Sequence, residues 1–98
     1  MKHTLRRYEF QSQFLRGGNI ILPETIIIQN GIVTWSKRKI YLIGQDIKSI
    51  AFDDISSFHI SVGVIGTDFT IYGRGNDVIV AKNFSKGDAL RIKKIIGK

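Results

Sequence analysis

Apolar and polar residues alternate along most of this chain with the period of strands that bury one face. Tyr8, Phe10 and Phe14 stand among Arg7, Glu9, Gln11 and Gln13, which predicts a first strand. Arg16-Gly17-Gly18-Asn19 breaks the pattern and Pro23-Glu24 marks the next bend, because Gly frees the backbone and Pro withholds a ladder donor. Between them, Ile20-Ile21-Leu22 predicts a short edge strand. Residues 25–29 and 32–36 are β-branched runs on either side of Asn30-Gly31, the pair best suited to the positive φ angles of a two-residue hairpin turn. Lys37-Arg38-Lys39 follows at a strand end, and residues 40–43 carry the chain back as another apolar run.

The second half continues in the same way. Residues 47–52 predict a strand, Asp53-Asp54 a turn, and residues 55–62 a further strand in which Phe58, Ile60 and Val62 alternate with small polar residues. Gly63 and Gly66 punctuate before residues 67–72. The run Gly73-Arg74-Gly75-Asn76-Asp77 connects these to a last strand over residues 77–82. From Ser85 the period changes. Ala89, Ile92 and Ile96 fall at helical spacing with Ile95 beside them, and Ser85 with Asp88 fits the start of a capping box, which predicts a C-terminal amphipathic helix over residues 85–97. Several strands followed by one helix suit a mainly β, partly open barrel or sandwich whose exposed end the helix covers.

This order resembles that of the bacterial pleckstrin-homology-like (PH-like) domains. The resemblance runs from Thr25 to Gly97. It rests on the hairpin carrying Trp35, on Asp46-Ile47-Lys48-Ser49-Ile50, and on Gly-punctuated strands leading through Asn83-Phe84 into a helix with an Ala and paired aliphatics. It implies a PH-like fold of two packed antiparallel sheets capped by the helix, acting as a binding platform or assembly module without chemistry of its own. Residues 1–22 depart from the shortest members and are expected to supply an extra N-terminal strand or an edge-covering arm. Relatives that read phosphoinositides do so with cations in the first hairpin loop. Here that loop is Asn30-Gly31, too short and uncharged for the task, so the lipid-reading residues do not carry over.

Composition narrows the functional classes. At 98 residues there is room for one domain, since a chain this short buries only roughly 60–65% of its unfolded surface. The absence of cysteine excludes disulfide frameworks and thiolate metal sites. The first residues mix charges with apolar side chains and so lack the apolar run of a signal peptide, which places the protein in the cytoplasm, with peripheral membrane attachment as the variant of that expectation. A net charge of +7 favours acidic partners or anionic surfaces and equally serves solubility.

Two basic clusters are the candidate anion- or partner-binding residues: Lys37, Arg38 and Lys39 at a strand end, and Arg91, Lys94 and Lys98 on the outward face of the helix. Each has a plainer explanation. Lys at a strand end guards an edge, and a helix that buries its aliphatic side shows cations outward near its C-terminus. His59 lies near Asp53, Asp54, Ser56 and Ser57, but Ser57 and His59 merely share one strand face, so no triad is expected. His3 and His59 are the sole imidazoles and have no spaced ligand set, so no metal or other cofactor is expected. Gly73-Arg74-Gly75 lacks the helix N-terminus of a phosphate cradle. The expected function is a non-enzymatic module that binds a protein partner or its own copies, with peripheral binding to anionic lipid as the alternative. Nucleic acid is the minor alternative, and no small-molecule substrate is indicated.

Overall fold

The computed structural model describes residues 6–13, 15, 16, 19, 20, 22–38 and 44–97. Among these residues nine strands and a helix follow one another in chain order: β1 Arg7–Gln11, β2 Leu15–Arg16, β3 Asn19–Ile20, β4 Glu24–Gln29, β5 Ile32–Arg38, β6 Gln45–Ala51, β7 Ile55–Val62, β8 Thr67–Gly73, β9 Val78–Phe84 and α1 Lys86–Ile96. A 3-10 turn, Phe52–Asp54, sits where the Asp53-Asp54 turn is expected. The strands form two antiparallel sheets, β1-β4-β5-β6 and β7-β8-β9, with β2 and β3 as a separate small hairpin. The result is a mainly β sandwich with one C-terminal helix. No ladder joins the two sheets among the described residues, so the barrel is not closed.

The β4–β5 hairpin forms where Asn30-Gly31 predicts it, with φ of 55° and 72° at the two turn residues, as this turn needs. Pairing in the first sheet then sorts side chains by alternation. Ile26, Ile28, Val33 and Ile50 point inward and are buried, whereas Thr34 and Ser49 meet on the outer face, their hydroxyls 2.9 Å apart. In the second sheet Phe58, Phe69, Ile71, Ile79 and Ala81 face the core. Helix α1 adds Ala89, Ile92 and Ile96. It starts on Ser85, whose Oγ accepts from the Asp88 N–H at 3.1 Å, and stops at Gly97 in the left-handed region.

Four local expectations need correction. The first strand ends at Gln11, and Phe14 lies outside the described residues. The expected edge strand over residues 20–22 is instead β3, two residues that pair only with β2; Leu22 is in no strand, and Ile21 is not among the described residues. Asn83-Phe84 is not a connection but the end of β9. A register shift against β8 lets the strand pass through Asn83 at φ 67°. Finally, β1 pairs with β4, so the first hairpin of the sheet is β1–β4 with its long connection over residues 12–23. Asn30-Gly31 closes the second hairpin, which removes the ground on which lipid-reading residues were set aside. The expected strand over residues 40–43 lies outside the described residues.

Candidate functional site

Strand geometry separates the densest basic cluster. Lys37 shares the inner face of β5 with Trp35 and stands opposite Glu24 on β4 and Asp46 on β6. Arg38, one residue on, belongs to the outer face. Lys39 lies outside the described residues. On the helix, Arg91 stacks over the rings of Tyr8 (5.9 Å) and Phe10 (5.7 Å), tying α1 to β1. Lys94 is exposed, and Lys98 lies outside the described residues. Lys37 and Arg38 therefore do not form a single cationic face, and Arg91 has a packing role that the sequence does not announce.

A group of polar contacts joins the sheets. Glu24 is 4% exposed, and its Oε1 accepts from the Trp35 indole N–H (2.7 Å) and from the Lys82 backbone N–H (3.1 Å). Ser12 bonds the same residue twice, its Oγ accepting from the Glu24 N–H and its own N–H donating to the Glu24 carbonyl. Nearby, the Gln13 N–H donates to the Asn83 carbonyl, and the Asn83 side-chain amide donates to the Gln13 carbonyl. These contacts hold the start of β4 against the end of β9. They are a clamp between sheets.

The same region fixes an apolar loop. Between β7 and β8, the Gly63 N–H donates to the Gly66 carbonyl, and Gln13 Nε2 reaches the Ile65 carbonyl at 3.3 Å. Val64 at the tip is fully exposed, and Val62 and Ile65 are each more than half exposed. Gly66 is buried, and a Cβ there would press on the Asn83 carboxamide and stand 3.2 Å from Asn83 Cα. Gly66→Ala is expected to cost about 1–3 kcal/mol as an overpacking change, measured as a lower midpoint in thermal melting. A midpoint equal to that of the parent would mean the loop is not held against β9.

Sheet edges differ in how they are guarded. β1 carries Arg7 and Glu9, which pair at 2.9 Å, and β6 carries Asp46 and Lys48. Lys48 Nζ crosses to the Val78 carbonyl of β9 at 3.4 Å, and β9 is further occupied through the bond from Lys82 N–H to Glu24. These are charges and contacts of the kind that stop a strand edge from pairing with another chain. β7 is the exception. It is the longest strand among the described residues, eight residues, and contains no Asp, Glu, Lys or Arg. It pairs with β8 on one side, and among the described residues no backbone hydrogen bond reaches its other side. Its one irregularity, between Ile55 and Ser57, lies at its start.

His59 sits exposed on the outer face of β7, edge-on to Tyr72 at 5.5 Å, while Ser56 donates to the Tyr72 carbonyl. That arrangement orients no nucleophile. Among the described residues no three His, Asp or Glu side chains converge as a metal site would require, and no helix is long and apolar enough to cross a membrane. A recess of about 370 Å³ near the C-terminal end of α1 has walls of Ile28, Phe52 and Ile95. Its polar side chains Arg6 and Tyr8 bond to each other at 3.2 Å. No family model matches the chain, nor does any curated protein or solved structure.

Proposed function

We propose that this chain is a non-enzymatic binding module of the PH-like kind that takes a partner polypeptide as an added strand along β7. The observation that carries the reading is the edge of β7 itself, eight residues without Asp, Glu, Lys or Arg, where among the described residues the other edges of the four- and three-stranded sheets are charged or occupied. Main-chain groups along such an edge supply affinity to any extended segment, and side chains on alternate positions supply selectivity. Val62, Val64 and Ile65 extend the strip at its C-terminal end with apolar surface that a partner would cover. The four- and three-stranded sheets with a terminal helix suit the PH-like resemblance, which implies a platform of this sort. Anionic membrane is the weaker reading because Lys37 and Arg38 belong to opposite faces of β5.

The test is a selection from a random peptide library, followed by residue-level hydrogen exchange on the protein with the enriched peptides. Protection is expected at amides within Ile55–Val62, with β6 and β9 amides unchanged. Enriched peptides that protect another surface, or a selection with no enrichment, would overturn strand addition at β7.

A further inference from the structure

The two flanks of α1 differ, and the difference points to the chemistry of what β7 takes. Arg91 fixes one flank against β1 through the Tyr8 and Phe10 rings, and Ile95 lies on the same side, against the recess with Tyr8 and Ile28. The helix also packs against β7 and β8. At 100° per residue, Lys86, Leu90 and Lys93 recur at i, i+4 and i+7 along the flank away from Arg91. Lys94 falls one turn beyond Leu90. All four are exposed, and Leu90, an apolar side chain, is 47% exposed. The single acid of the helix, Asp88, belongs to the Arg91 side.

We infer that the polypeptide added at β7 is acidic, its carboxylates meeting Lys86 and Lys93 beside the uncharged edge; this rests on the strand-addition reading above. An added strand sends alternate side chains toward opposite faces of the sheet, so one set lies along the flank of α1. That flank offers cations with an apolar residue between them. A second copy of this chain is the wrong occupant. It brings a further +7 of net charge, and pairing two β7 edges about a two-fold axis sets one lysine flank near the other.

Three peptides matched in length to β7 test this, with Thr alternating with Glu, with Gln or with Lys. Each is titrated onto the full chain with hydrogen exchange at β7 as the readout. The Glu peptide is expected to bind about tenfold more tightly than the Gln peptide at low ionic strength, as two or three partly exposed ion pairs supply, and the advantage shrinks as salt is added. The double variant Lys86→Glu/Lys93→Glu, with its fold checked by thermal melting, is expected to prefer the Lys peptide. Equal affinities for all three peptides, with β7 protected, would overturn the acidic partner and leave strand addition standing. If none of the three protects β7, both fall, strand addition first.

Discussion

Phe69→Ala is expected to be the most damaging single truncation in this protein, lowering stability by about 3–5 kcal/mol. Phe69 is 1% exposed and stands at the centre of an aromatic row. Its ring is stacked on Phe58 at 5.2 Å and tilted against Phe84 at the same separation. β8 lies between β7 and β9, so removing this ring opens a cavity that two strands and the start of α1 share. Domains of this size hold roughly 5–15 kcal/mol in total, so the loss takes about a fifth or more of what is present. The melting temperature is expected to fall by about 15 °C or more. Phe69→Leu, which keeps most of the volume, is expected to cost about 1.5 kcal/mol or less. Urea unfolding of both variants measures the difference. If Phe69→Ala and Phe69→Leu unfolded at the same midpoint, the row would not be the packed centre of the sandwich.

What the sequence discloses depends on how local the physics is. The Asn30-Gly31 turn and the Ser85 cap are decided by residues within one turn of each other, and both are legible. The alternation in residues 55–62 is equally local, and it separates buried Phe58 from Ser57, although Val62 at the end of the strand is exposed. The pairing of β1 with β4 is another matter. A two-strand excursion stands between them, and nothing in residues 7–11 says which later strand will be the neighbour. Asn83 misleads for a different reason. Asn usually marks a turn because it tolerates positive φ, and here the same tolerance lets β9 take a bulge and continue.

The candidate site was less legible than the fold. Lys37-Arg38-Lys39 is dense in sequence, but a strand turns neighbours to opposite faces, so density along the chain is not density in space. The edge of β7 could not be found at all from its residues, because being an edge is a property of sheet order. Once the order β7-β8-β9 is known, the lack of charge in residues 55–62 becomes informative, and the sequence had it in view throughout. Lys86 and Lys93 stand among the other cations of the helix, and nothing in their spacing singles them out. Their flank gains meaning from Arg91, which shows the side of α1 that is already committed to β1.

Glu24 is the residue whose importance the sequence hides most completely, and Glu24→Ala is expected to cost about 2–4 kcal/mol. Beside Pro23 it reads as part of a bend, because its partners are 11 and 58 residues away. Alanine leaves the Trp35 indole N–H and the Lys82 backbone N–H without their acceptor in a partly buried place, and each such loss is worth about 1–3 kcal/mol. Glu24→Gln keeps an oxygen that can accept both bonds, and is expected to lose only about 1 kcal/mol, the excess strength of charge-assisted bonds. Trp35, the single tryptophan, reports directly on the contact. In Glu24→Ala its emission is expected to shift in the folded state as the indole loses its partner, and the urea midpoint to fall in parallel. In Glu24→Gln the emission is expected to stay close to that of the parent. A Glu24→Ala protein with both parental emission and parental midpoint would show that the two sheets do not depend on this carboxylate. A urea midpoint close to the parent's in Glu24→Gln, beside a clearly lower one in Glu24→Ala, would establish that this side chain acts as a clamp between sheets, since such a role needs only an acceptor.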